Sequence, residues 1–236
     1  MTSIRIDLHS DTQTRPSTEM RDAMARADVG DEQMFEDPSV NKLQDMVADL
    51  LGKEAAVFLP SGTMCNLIAL AVHCRSGDEI LCDRTAHILN TEGAGAAVIS
   101  GAFIRPLDGI NGIFTPDQIK AAMRSGSRNG PVSRMISIEQ TSNGGGGTIW
   151  PLTAIQEAKR TADELGLIMH MDGARLLNAS VASGVSAKDF SSSFESVWID
   201  LSKGLGCPIG GVLAGSNEFI EQAWRWKQRL GGSMRQ

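Results

Sequence analysis

The sequence predicts an α/β protein, a mostly parallel β-sheet with helices on both faces. Two observations carry this expectation. Short apolar runs recur along the 236 residues and read as buried strands, and amphipathic helical patterns lie between them. That strand–helix rhythm is how a parallel sheet is wound and covered. The length is compatible with one large domain or two small ones. A chain of this size buries roughly 70–75% of its unfolded surface, so it needs neither a disulfide nor a structural metal to hold its core.

Taken in order, Asn41 to Leu51 sets Leu43, Met46, Val47, Leu50 and Leu51 on one helical face, with Gly52 as the stop. Ala55 to Leu59 reads as a buried strand ended by Pro60-Ser61-Gly62-Thr63, and Met64 to Cys74 as the next helix. Ser76-Gly77-Asp78 turns the chain into a strand over Glu79 to Cys82. Further strands are expected at Ala96 to Ile99, Met135 to Ile138, Leu167 to Met171, Val197 to Ile199 and Val212 to Ala214. Helices are expected at Pro116 to Met123, Leu152 to Leu165 and Asn217 to Leu230. Ser125 to Pro131 is a surface loop by composition, and the run Asn143-Gly144-Gly145-Gly146-Gly147 reads as a flexible insert.

Composition excludes several classes. Hydrophobic residues make up 42% and charged residues 21%, with a net charge of −6, which argues against nonspecific nucleic-acid binding. No apolar stretch approaches a membrane span, and Met1 to Asp7 lacks the apolar core of a signal peptide, so a cytoplasmic location is expected. Cys65, Cys74, Cys82 and Cys207 form no Cys-x-x-Cys pair and read as reduced thiols. Their spacings with the histidines suit no metal site.

Chemistry concentrates at strand ends. The run Leu167 to Met171 ends in Asp172-Gly173-Ala174-Arg175, and 31 residues after Asp172 comes Lys203, in Ser202-Lys203-Gly204 behind Val197 to Ile199. A carboxylate and an amine one strand–helix–strand unit apart can meet at one edge of a parallel sheet. There they could grip the two ends of a flat, aldehyde-bearing cofactor, pyridoxal 5'-phosphate. The lysine would form the Schiff base, the aspartate would keep the ring nitrogen protonated, and Arg175 could pair with the ring oxygen. Ser61-Gly62-Thr63, between a strand and a helix, offers backbone N–H groups to an anion, or else serves only as a helix cap. His87, soon after the Glu79 to Cys82 strand, could stack on the ring and move a proton. His9, His73 and His170 read as structural.

These residues belong to a longer ordered set: Asp7-Leu8-His9-Ser10-Asp11-Thr12, Glu36-Asp37-Pro38, Gly52-Lys53-Glu54-Ala55-Ala56, Pro60-Ser61-Gly62-Thr63-Met64, Ala86-His87-Ile88, Asp172-Gly173-Ala174-Arg175-Leu176, Leu201-Ser202-Lys203-Gly204-Leu205 and Gly231-Gly232-Ser233-Met234-Arg235-Gln236. The set resembles the low-specificity threonine aldolase group of the β-eliminating lyase family. The resemblance implies the aspartate-aminotransferase-like fold (fold type I), with an N-terminal arm and the cofactor-binding large domain over residues 1–236 and the family's small C-terminal domain absent from this chain. It implies a homodimer or homotetramer with shared sites, acting on a small amino-acid substrate. It implies that Lys203 carries the cofactor, Asp172 pairs with its ring nitrogen, Arg175 assists the ring oxygen and His87 stacks on the ring. It also implies that Gly62 and Thr63 bind phosphate, Ser10 helps hold the substrate carboxylate, and Arg235 lines the phosphate and substrate region. Ser61 and Ser202 flank these groups in the same motifs.

The implied reaction is cleavage of a β-hydroxy-α-amino acid such as threonine to glycine and an aldehyde. Two departures open alternatives. Met34-Phe35 stands where the family reads Tyr-Gly, and Glu139-Gln140-Thr141-Ser142-Asn143 replaces a histidine-bearing motif with Ser142. β-Elimination or racemisation with the same cofactor is one alternative, and a noncatalytic binding protein is another.

Overall fold

The computed structural model describes residues 6–124 and 126–236. Residues 1–5, part of the segment read for a signal peptide, and Ser125 of the expected loop lie outside the described residues. Residues 126–131 form a surface loop.

The elements run as α1 (Thr18–Arg26), α2 (Pro38–Leu51), β1 (Ala55–Leu59), α3 (Gly62–His73), β2 (Asp78–Asp83), α4 (His87–Asn90), β3 (Phe103–Leu107), α5 (Pro116–Ala122), β4 (Val132–Glu139), α6 (Leu152–Leu165), β5 (Ile168–Gly173), α7 (Leu176–Ser183), α8 (Ala187–Ser191), β6 (Ser196–Asp200), β7 (Gly211–Gly215) and α9 (Asn217–Arg229). Local chemistry sets their ends. α2 begins three residues before the expected Asn41, because Asp37 accepts from the Val40 N–H at 2.9 Å and Pro38 fits the first turn. It stops at Gly52, whose φ of 63° suits glycine. α5 opens on a capping box in which Thr115 and Gln118 satisfy each other's backbone N–H.

Among the described residues, seven strands form one sheet in the order β1-β7-β6-β5-β4-β2-β3. The pairings from β6 through β5, β4 and β2 to β3 are parallel, and those of β7 with β1 and β6 are antiparallel. Successive strand side chains point to opposite faces of the sheet, as a period of two requires. Phe58, Val197, Ile199 and Val212 pack with Val47, Leu51 and Ile155 beneath α2 and α6. Val57, Leu59, Trp198 and Leu213 pack with Ile68, Phe219 and Ala223 beneath α3 and α9. The mostly parallel, two-faced architecture expected from the sequence is thus observed.

One expected strand is corrected. Ala96–Ser100 is a turn of π-helix, not a strand, and the edge strand is Phe103–Leu107. Only one side of the apolar run is buried: Ala96 is enclosed while Val98 is exposed, and the Ser100 hydroxyl donates back to the Ala96 carbonyl at 2.6 Å. The true strand was hidden by Arg105 and Pro106. β3 is the rim of the sheet, where a proline is tolerated because its missing N–H can face outward.

Among the described residues, no helix is long and apolar enough to cross a membrane, and no group of three or more His, Cys, Asp or Glu side chains could hold a metal. All four cysteines are free, with Cys65, Cys74 and Cys82 buried.

Candidate active site

β5 and β6 lie side by side and parallel, with Asp172 registered opposite Trp198. Their C-terminal ends therefore open on the same edge, together with the end of β4 and the start of α3. The cleft there measures about 170 Å³ and is lined by Gly62, Thr63, His87, Asp172, Arg175 and Lys203, among others. Six of the residues singled out from sequence thus share one pocket.

Asp172 is buried, and neutral donors hold it: the Ala174 N–H reaches Oδ1 at 3.0 Å and the Asn66 amide reaches Oδ2 at 2.9 Å. Among the described residues no lysine, arginine or histidine forms an ion pair with it. A buried carboxylate with only neutral donors fits a cationic ring nitrogen arriving from the pocket. On the α3 side the Ser61 hydroxyl caps the Met64 N–H, while the first N–H groups of the helix, at Gly62 and Thr63, border the pocket without intrahelical partners. A Cβ on Gly62 would lie 2.3 Å from the Trp198 ring, so glycine is what lets the helix start sit against that indole. The donor set therefore suits pyridoxal phosphate at both ends.

His87 meets Glu92 through Nδ1 at 2.7 Å, and this bond raises the imidazole pKa against its partial burial. Glu92 is pushed up by burial, and its bonds from His87 and Asn66 counter that rise. Glu139 accepts from the backbone N–H of His87 and, at 3.3 Å, from that of Asn143. Burial, and secondarily the charge of Asp172, raises its carboxyl to about 7. Arg175 is gripped by Asp11 through Nε at 2.5 Å and Nη2 at 2.8 Å. That fork lowers the Asp11 pKa and raises that of Arg175. Lys203 pairs with Asp200 at 2.9 Å. Behind the pocket wall, His170 Nδ1 and His73 Nε2 both meet the Ser196 hydroxyl at 2.8 Å. Burial lowers these imidazoles to about 3 and about 4, so both are neutral near pH 7.

Four sequence candidates lie outside the pocket lining. Ser61 caps α3, and Ser202 acts on Asp200, donating to it from N–H and hydroxyl at 2.7 Å each. Ser10 caps the short turn Asp11–Gln13 and borders a neighbouring surface cleft. Arg235 is exposed, pairs with Asp31 at 2.7 Å and lines a separate cleft. Within one chain the structure does not bring Arg235 to Lys203.

The glycine run requires a correction. It is a packed turn, not a flexible insert: Ser142 N donates to Thr148 O at 2.9 Å and Gly147 N to Ser142 O at 2.8 Å. A Cβ on Gly144 would meet the Thr85 carbonyl at 2.7 Å, and one on Gly145 the Asn111 carbonyl at 2.1 Å. The glycines permit close backbone approach, and the turn places Asn143 on the pocket wall. Sequence reasoning also missed Asp11, Asn66, Glu92, Glu139 and Asp200. Glu92 and Asp200 lie near His87 and Lys203 in the chain, which was a usable signal. Nothing local marks Asn66.

Comparison with known proteins gives this site its context. The model of the beta-eliminating lyase family matches residues 7–236. The chain belongs to that family. Its members are pyridoxal-phosphate-dependent lyases. The low specificity L-threonine aldolase of Escherichia coli is 42% identical over 232 residues, covering 98% of this chain and 69% of the relative. The low specificity L-threonine aldolase of Saccharomyces cerevisiae is 39% identical over 234 residues, covering 98% of this chain and 60% of the relative. A solved threonine aldolase of Leishmania major superposes with a TM-score of 0.84 over 96% of this chain and 67% of its own; at 22% identity this attests the fold alone. A crystallised Listeria monocytogenes chain, 30% identical with a TM-score of 0.74, is covered over 53% of its length and covers 83% of this chain. The chain thus spans between half and two thirds or so of these relatives.

Proposed function

We propose that this beta-eliminating lyase family chain builds the pyridoxal-phosphate site of a threonine-aldolase-type enzyme. It cleaves the Cα–Cβ bond of a β-hydroxy-α-amino acid, threonine or allo-threonine in kind, to glycine and an aldehyde. The supporting observation is the shared pocket: Lys203 and Asp172 line one cleft from adjacent parallel strands, and Asp172 has only neutral partners there.

In this reading Lys203 would hold the cofactor through its amine, Asp172 would pair with the ring nitrogen, and Arg175, fixed by Asp11, would pair with the ring oxygen. The α3 N-terminus at Gly62 and Thr63, behind the Ser61 cap, would bind the phosphate. When bound, the cofactor supplies an electron-withdrawing ring that holds the charge left on Cα as the bond breaks. The protein supplies the proton transfers. With Nδ1 committed to Glu92, the Nε2 of His87 can take the substrate hydroxyl proton when the ring is neutral. Ser142 is buried in the glycine turn with its hydroxyl accepting from Gly145, and it does not line the pocket. Among the described residues His87 is the one imidazole bordering the cleft.

The working form is a homodimer or homotetramer in which Ser10 helps hold the substrate carboxylate and the exposed Arg235 serves the pocket of a second copy. The large apolar side chains Leu8, Met24, Val29, Met34 and Phe35 are each exposed in the single chain, which supports such a contact. The free thiols fit a cytoplasmic location.

The test uses the purified full-length protein. Visible absorption that borohydride abolishes, with the reduced label mapped to Lys203, together with glycine and aldehyde from threonine isomers, is the expected outcome. A label elsewhere removes the site assignment. Pyruvate and ammonia from serine without aldehyde select β-elimination.

A further inference from the structure

Asp200 ends β6 three residues before Lys203, and both line the pocket. Its Oδ1 accepts from the Ser202 N–H and hydroxyl, each at 2.7 Å, and this pair of hydrogen bonds sets the carboxylate so that Oδ2 meets Lys203 Nζ at 2.9 Å. The carboxylate is buried, and the ammonium stands 5.9 Å from the Trp198 ring centroid. Burying such a pair costs desolvation that its attraction does not clearly exceed, so stability alone is a weak reason for it. Position offers a better one. Two donors of a single residue, Ser202, hold Asp200 ready for the Lys203 amine in the state where that amine is attached to nothing else.

We propose that Asp200 is the docking counter-ion for the detached lysine: it receives Lys203 as an ammonium when a substrate amine displaces it and keeps it from competing for the cofactor. This rests on the reading of Lys203 as the cofactor-bearing residue. In the exchange the carbon–nitrogen double bond to Nζ breaks as one to the substrate nitrogen forms. The substrate nitrogen enters as an ammonium with three hydrogens and Nζ leaves as one, so all three pass from the substrate nitrogen to Nζ, and atoms and charge balance within the site. Asp200 then neutralises the new ammonium. Asp200 is thus a positioning residue, acting through Lys203.

The test compares cofactor-loaded wild type, Asp200→Asn and Asp200→Glu during glycine titration, followed by the absorption change as glycine displaces Lys203. With the counter-ion gone, Asp200→Asn needs about tenfold more glycine for half-displacement, and Asp200→Glu recovers part of the difference. Cofactor-free Asp200→Asn is labelled at Lys203 by pyridoxal phosphate and borohydride faster than wild type at neutral pH, because its amine no longer has to leave an ion pair to reach the aldehyde. A purely structural role would slow that labelling. Ser202→Ala, which keeps the charge and frees its orientation, shifts the glycine midpoint in the same direction by less, and serves if Asp200→Asn does not fold. An unchanged glycine midpoint in the folded variant, or slower labelling, overturns the proposal. If wild type itself is not labelled at Lys203, the cofactor-site reading fails instead.

Discussion

Asn66 donates its side-chain amide to the carboxylate of Asp172 at 2.9 Å, and both residues are closed to solvent. The same NH₂ group reaches Glu92 at 2.7 Å, while the amide oxygen accepts from Trp198 Nε1 at 2.7 Å and faces His170 Nε2 at 3.2 Å. One amide therefore ties the Asp172 carboxylate to the His87–Glu92 pair. Asn66→Ala strips a donor from two buried carboxylates and is expected to destabilise the fold by about 2–4 kcal/mol. It also weakens cofactor retention. Urea unfolding and a pyridoxal-phosphate titration check the two effects.

The His87 imidazole owes its raised pKa first to Glu92, against an opposing desolvation. For a raised histidine, the stabilisation is complete below the unfolded value of 6.5 and fades as pH climbs through the higher folded value. Glu92→Gln is expected to lower the His87 midpoint, moving the acidic limb of the activity profile to lower pH. NMR titration of the His87 ring protons, beside a pH–rate profile, measures both.

Glu139 titrates in the same sense for stability. Its carboxyl rises from 4.5 to about 7 through burial and the nearby Asp172 charge, so between those values the folded chain holds a proton that the unfolded chain has lost. Folding stability of the cofactor-free protein is expected to decline as pH rises across that interval. Glu139→Gln removes this part of the slope, and urea melts from pH 4.5 to 8 reveal whether it does.

Gly145 and Gly130 form a matched pair of tests for the glycine turn. A Cβ on Gly145 would press on the Asn111 carbonyl, whereas one on Gly130 meets nothing within 4 Å. Gly145→Ala is expected to destabilise by about 1–3 kcal/mol, and Gly130→Ala to be neutral or slightly stabilising. Thermal unfolding distinguishes them, and equal melting temperatures would restore the view of the run as a slack insert.

Much of the architecture was legible because local rules were not contested. α6 spans Leu152–Leu165 as its periodicity predicts, and β1 spans Ala55–Leu59. The alternation of strands and helices led directly to a parallel sheet, and a parallel sheet brings Asp172 and Lys203 to one edge. The failures came where an apolar run had no strand neighbour, at Ala96–Ser100, and where a genuine strand carried Pro106 at the sheet's rim.

The sequence by itself determined the fold class and the place, though not the ends, of six of the seven described strands, since hydrophobic periodicity acts over a few residues. It also named Lys203, Asp172, Arg175 and His87, each beside a strand end or a short motif. Only the tertiary structure decided their partners. Asp11 reaches Arg175 across 164 residues of chain and Asn66 reaches Asp172 across 106. The closed glycine turn and the separation of Arg235 from Lys203 within one chain were decided there too. Charge pairing and buried hydrogen bonding depend on distance in space, and chain separation carries no record of that distance until the sheet has formed.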